Sequence, residues 1–194
     1  MNLILHGMLA CALLASPPGA VHETNGCPEG TYSVVVSPDG TTLSILFDEF
    51  TLESSPSVSG RQKKVCRISS PLTLPPNHSI GVYKVDYRGF AKLVANQRSE
   101  LDVQYFLGPH DNEHGRVFKR TVKGPREGDF TFTENIGAGQ MKRVGCGSDA
   151  MLNVDISLSL DGGARAGETM ASLDTTDAAP GGALVYHLNL KKCE

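Results

Sequence analysis

The feature that most constrains this chain is a two-residue alternation of apolar and polar side chains. Leu152, Val154, Ile156, Leu158 and Leu160 alternate with Asn153, Asp155, Ser157 and Ser159. Leu184, Tyr186, Leu188 and Leu190 alternate with Val185, His187, Asn189 and Lys191. Successive side chains of a strand point to opposite faces, so this pattern builds sheets with one dry and one wet side. The same period runs through Tyr32, Val34 and Val36 and resumes at Leu43, Ile45 and Phe47. Between them, Ser37-Pro38-Asp39-Gly40 has the residues of a tight turn, so a hairpin is expected. Phe50 and Leu52 fall out of phase, which predicts a bulge near Glu49. Further strand-like segments are Val65–Leu74, Ser79–Phe90, Glu100–Leu107, Arg116–Lys123 and Asp129–Ile136. Ser54–Gly60 reads as an exposed loop, and Asp161–Gly182, small and polar, as a long loop before the last core strand. No window carries a helical stripe with caps. The expected fold class is all-β: an antiparallel β-sandwich, jelly-roll or Ig-like, of about nine or ten strands.

Residues 1–20 contain no Asp, Glu, Lys or Arg. Leu3–Ala15 is apolar apart from His6 and Gly7, and small residues and prolines follow to Ala20. This is the pattern of a secretory signal peptide cleaved near Ala20, leaving residues 21–194 as one secreted domain. The apolar run is shorter than the ~18 residues of a membrane span, and no second one follows, so no membrane insertion is expected. The balance of 18 basic against 21 acidic residues gives no footprint for nucleic acid.

Of five cysteines, Cys11 lies in the leader. Cys27, Cys66, Cys146 and Cys193 are widely spaced, which in a secreted chain reads as two disulfides rather than a zinc site. If Cys66 opens a strand antiparallel to the one Cys193 closes, those two are neighbours. The expected pairing is then Cys27–Cys146 and Cys66–Cys193.

Several segments resemble a known family when taken together. They are Gly26-Cys27-Pro28, Ser37-Pro38-Asp39-Gly40-Thr41-Thr42-Leu43, Leu46-Phe47-Asp48-Glu49-Phe50 and Val85-Asp86-Tyr87-Arg88-Gly89-Phe90. Gly124-Pro125, Gly128-Asp129-Phe130, Cys146-Gly147, Tyr186-His187-Leu188 and Lys192-Cys193 extend the likeness. The chain resembles a family of small secreted, four-cysteine, β-rich proteins of filamentous fungi and some bacteria, catalogued as a domain of unknown function. The resemblance implies secretion and a β-rich fold, and supplies no catalytic residue. Pro109–Gly115, rich in His and acid here, departs from a Ser/Thr/Asn-rich tip in relatives.

No catalytic constellation or cofactor site is legible. Asp48 and Glu49 are adjacent, so on a strand they point apart and read as surface residues. Asp86 and Arg88 share a strand face and form a candidate surface patch, with Tyr87 opposite in the core and Gly89 permitting a bulge or a close backbone approach. His110 and His114, within His110-Asp111-Asn112-Glu113-His114, are weak metal candidates, because flanking Gly108-Pro109 and Gly115 indicate a loop rather than the helix HxxxH needs. His187 reads as an exposed strand residue. Ser148 lacks the nucleophile-elbow pattern. The acids around Asp174 and Asp177 lack EF-hand spacing. Arg61-Gln62-Lys63-Lys64 reads as a soluble loop or a contact for anionic polymers. Asn77-His78-Ser79 is a glycosylation sequon on an expected turn. The functional expectation is a secreted, non-catalytic binding protein of the effector or virulence type, acting on an extracellular host protein or a cell-wall polymer. An inhibitor of a secreted hydrolase and a carbohydrate-active protein are the alternatives.

Overall fold

A computed structural model describes residues 21–54, 60–108, 115–147, 150–161, 169–173 and 183–194. Its strands, in chain order, are β1 (Val21–Asn25), β2 (Tyr32–Val36), β3 (Thr42–Phe47), β4 (Thr51–Glu53), β5 (Arg61–Pro71), β6 (His78–Leu93), β7 (Arg98–Leu107), β8 (Arg116–Lys123), β9 (Arg126–Asn135), β10 (Arg143–Gly145), β11 (Met151–Leu160), β12 (Met170–Ser172) and β13 (Leu184–Lys192). A short 3-10 turn spans Ala138–Gln140.

Alternation drives these segments into two sheets. The smaller has the order β1-β5-β11-β7-β8, and the larger β2-β3-β13-β6-β12-β4. β13 and β12 follow one another along one edge of β6, while β10 and β9 take the other. Every pairing is antiparallel except that of β1 with β5. The antiparallel sandwich is therefore present, with thirteen strands among the described residues. The additions, β1, β4, β10 and β12, have three to five residues each, too few for a readable period.

The core lies between the sheets. Leu43, Ile45 and Phe47 of β3 and Leu152, Val154, Ile156, Leu158 and Leu160 of β11 are all buried. Aromatics join the layers: Tyr87 of β6 stacks on Phe118 of β8 at 3.9 Å, and Tyr186 of β13 meets Tyr105 of β7 edge-on at 5.3 Å. The β2–β3 turn forms as expected. Gly40 adopts φ 68°, and Asp39 Oδ1 accepts bonds from Ser37 Oγ and from the Thr41 amide and hydroxyl. Gly89 also acts as expected, since a Cβ there would strike the Ser172 carbonyl and the Phe130 ring.

Three expectations about the strands are corrected. The phase change near Glu49 is not a bulge: β3 ends at Phe47, and the chain enters β4, which pairs with β12 instead. A bulge occurs in β6, where Leu188 faces Val82 while His187 faces Lys84, skipping Tyr83. It moves the inward phase from Ile80 and Val82 to Val85 and Tyr87. Arg61–Lys64 opens strand β5 rather than forming a loop, and β12 interrupts the long polar stretch that begins at Asp161.

The disulfides are Cys27–Cys66 and Cys146–Cys193, not the expected pairing. β1 runs parallel to β5 in the register Asn25↔Val65, and the Gly26 amide donates to Val65 O, so Cys27 arrives beside Cys66. Cys146 and Cys193 flank the start of β6, their amides donating to His78 O and Asn77 O. The closed loops span 39 and 47 residues, each worth about 4 kcal/mol in the chain-entropy model. Non-reducing peptide mapping is expected to recover Cys27 linked to Cys66 and Cys146 linked to Cys193, with no peptide joining Cys66 to Cys193. Replacing Cys27 and Cys66 together by Ser is expected to lower stability in urea by about 2–4 kcal/mol.

Candidate functional site

The outer face of the smaller sheet carries a groove of about 510 Å³. That is within the range of roughly 300–1,000 Å³ found for ligand sites. Strand register lines its residues up in rows. One row runs Glu23–Lys63–Ser159–Glu100, the next Val65–Ser157–Asp102–Lys119, and a third Arg67–Asp155–Gln104. Arg61, Lys63 and Arg67 make β5 a basic bank, Ser157 and Ser159 form the floor, and Glu100 and Asp102 make β7 an acidic bank. Every carboxylate on the walls meets a cation: Glu23 with Lys63 at 2.9 Å, Asp155 with Arg67 at 3.6 Å, and Glu100 and Asp102 with Lys119 at 3.0 and 3.5 Å. The hydrogen bond from Lys119 to Glu100, helped by both acidic charges, raises the ammonium's pKa. Glu100 and Asp102 thus lie inside the ~10 Å over which two carboxyl groups can flank a glycosidic bond. They rise from a single strand, however, and share one ammonium, an arrangement of ion pairing rather than acid–base division of labour. Among the described residues no aromatic side chain lines the groove.

The larger sheet's outer face holds a second polar cluster. Asp86 is only 6% exposed. Thr133 donates to its Oδ1 at 2.6 Å, and Lys84 Nζ and His187 Nε2 reach Oδ2 at 2.9 and 2.8 Å. An ionised carboxylate only accepts, so His187 Nε2 carries the hydrogen in this contact. Burial works against the charge of Asp86. The hydrogen bonds from Thr133, Lys84 and His187, with the Lys84 charge, outweigh it and hold the pKa at about 2. Both oxygens of Asp86 are occupied, so its geometry is that of a staple between β6, β9 and β13.

A third cluster bridges the sheets. Glu134 of β9 accepts from Tyr87 Oη at 3.0 Å, Tyr105 Oη at 3.2 Å, and Arg116 Nε and Nη2 at 3.0 and 2.8 Å. Burial and the neighbouring carboxylate keep both phenols protonated. Burial disfavours the Arg116 charge, but Glu134 outweighs it and raises the guanidinium pKa. Beside Tyr105 and Arg116 opens a pocket of about 140 Å³ walled by Val82, Leu107, Ile136 and Met141. That volume is below the usual ligand range, so the groove is the stronger candidate.

The residues singled out from sequence scatter across this architecture. Asp86 is not part of an exposed patch but buried in its staple, and Arg88 is a half-buried neighbour on the same face of β6. His187 is not a lone exposed side chain but the partner of Asp86. Asp48 and Glu49 are exposed and lie off the strands. Asn77 is exposed on its turn with φ 55°. Arg61 and Lys63 face the groove, while Gln62 and Lys64 turn the other way to the Glu53 and Glu49 carbonyls. His110, His114, Ser148, Asp174 and Asp177 lie outside the described residues. Among the described residues no group of three His, Cys, Asp or Glu side chains could hold a metal. Glu134 was missed, although it continues the inward series Phe130, Phe132, where a carboxylate on the apolar phase is a readable signal.

Two measurements test these clusters. Glu134→Ala strands two phenols and a guanidinium, and is expected to lower stability by about 3–5 kcal/mol in urea. Asp86 has its pKa lowered on folding, from 3.8 to about 2, so its stabilisation is complete above pH 4 and fades as pH falls towards 2. The Asp86→Asn variant is expected to lose about 2 kcal/mol less than the parent between pH 5 and pH 2.

Comparison with known proteins fits this picture. An uncharacterized secreted protein of Arthroderma benhamiae is 28% identical over 163 residues, covering 81% of this chain. The chain spans 65% of that relative's length. With that secreted relative and two disulfides, which persist in oxidising compartments, the protein is secreted and extracellular. No helix among the described residues is long and apolar enough to cross a membrane. The model of the family described as Domain of unknown function (DUF4360) matches residues 19–193, and the chain belongs to that family.

Proposed function

We propose that this protein acts outside the cell by binding, without catalysis, an extended segment of another extracellular protein in the groove of its smaller sheet. The observation that carries this reading is the groove itself, with a basic bank on β5, an acidic bank on β7 and a serine floor between. A mixed-charge polypeptide offers carboxylates to Arg61, Lys63 and Arg67 and cations to Glu100 and Asp102, and such complementarity sets register and on-rate. A neutral polysaccharide fits less well, because sugar faces stack on aromatic rings and none lines the groove among the described residues. The pairs already within the groove are surface pairs worth ~0–1 kcal/mol each, so a partner can exchange them at little cost. An effector on a host protein and an inhibitor of a secreted hydrolase are both forms of this activity. Residues 1–20 serve as the cleaved leader in this reading, and Asn77 carries a glycan when the secreting cell is eukaryotic.

Immobilised, oxidised protein is incubated with host extracellular fluid and, separately, with insoluble chitin, cellulose and β-glucan. Saturable retention of a protein component is expected, weakened at least tenfold by Lys63→Glu with Arg67→Glu and steeply dependent on salt. Retention on a polysaccharide that ignores the charge reversal would overturn the proposal. Stoichiometric loss of a retained hydrolase's activity would identify the inhibitor form.

A further inference from the structure

β2 is the outermost strand of the larger sheet, and among the described residues only β3 pairs with it. Its backbone phase is fixed by the bonds at its two ends. The Ser37 amide donates to Thr42 O, and the Asp48 amide donates to Thr31 O. In the register Ser33↔Leu46 and Val35↔Ser44, the odd positions therefore bond to β3. Tyr32, Val34 and Val36 turn their N–H and C=O groups to the open edge. Tyr32 and Val34 pack partly against the core, while Val35 is 51% and Val36 47% exposed.

The other edges are defended and this one is not. β8 carries Arg116, Lys119, Arg120 and Lys123. β9 carries Arg126, Glu127, Asp129 and Glu134, and β1 carries Glu23. β4 and β10 have three residues each. Charge and shortness are the usual devices against edge-to-edge pairing, and the sequence Tyr32-Ser33-Val34-Val35-Val36 has neither, nor a proline.

We infer that β2 is the pairing edge for a second copy of this chain, joined antiparallel about a two-fold axis at Val34. Val34 then faces its own counterpart, and Tyr32 faces Val36 of the other copy. These are the positions whose N–H and C=O groups point outward, so each pair exchanges both hydrogen bonds. An aromatic ring against a β-branched side chain is a favourable cross-strand pair, and it covers the exposed Val36. An uncharged strand meets itself without repulsion, whereas β8 paired with itself would oppose cations. The two larger sheets become one continuous sheet, with both charged grooves left open on the smaller sheets.

Sedimentation velocity of the secreted, oxidised protein, from low micromolar to near-millimolar concentration, is expected to show a monomer–dimer equilibrium. The amides of Tyr32, Val34 and Val36 exchange hydrogen quickly when dilute and slowly when concentrated. Val36→Pro removes an outward N–H without removing a bond to β3, and Val35→Lys places a cation on the edge. Each is expected to raise the dimer dissociation constant at least tenfold, with the thermal midpoint of the dilute monomer unchanged. Val117→Lys, at a still more exposed valine of β8, leaves the constant unchanged. A wild-type chain monomeric at every concentration overturns the inference, and so does a dimer undiminished by the β2 variants. If Val36→Pro does not fold, Val35→Lys with the amide exchange decides.

Discussion

The larger sheet depends on β6 being hydrogen-bonded along both edges. β13 and β12 occupy one side and β10 and β9 the other. Among the described residues, β3, β2 and β4 reach the sheet only through β13 and β12. One irregularity makes so long a strand possible. The bulge at Tyr83 resets the inward phase, so Ile80 and Val82 on one side of it and Val85 and Tyr87 on the other all reach the core. Without it, a strand of sixteen residues would turn half of its apolar side chains to solvent.

The same strand anchors the Asp86 and Glu134 clusters. Asp86 points outward and ties β6 to its neighbours on either edge through Thr133 of β9 and His187 of β13. Tyr87 points inward to Glu134, which also holds Tyr105 and Arg116 of the smaller sheet. Consecutive residues thus fix the sheet laterally and the sandwich vertically. A buried carboxylate with several donors is costly to disturb, and these two acids orient the strands around them.

Much of the architecture was legible in sequence because it is local. The alternation in β11 and β13, the turn at Ser37–Gly40 and the close approach at Gly89 each follow from a few neighbouring residues. The disulfide pairing was not legible. It depends on β1, whose Val-His-Glu-Thr-Asn has no apolar period and pairs in parallel, against the antiparallel rule of the rest. The groove was not legible for a related reason. Lys63, Ser159 and Glu100 form a row only because three distant strands align in one register. The burial of Asp86 likewise comes from the neighbouring strands, so strand alternation alone placed it on the surface.

The position of β13 has a kinetic meaning. Leu184 faces Ile45 on one edge and Tyr87 on the other, so β3 and β6 are joined by a strand far from both in sequence. β3 has its hairpin partner β2 on one edge, but the edges of β3 and β6 that β13 joins stay open until the chain has returned across most of its length. Sheets built from such distant contacts fold slowly, on the scale of milliseconds to seconds. In the interval β3 and β6 each present one unpaired edge to whatever surrounds them. The chain is therefore most vulnerable to aggregation before β13 has docked, and its yield from a secreting cell should be set by that one late closure.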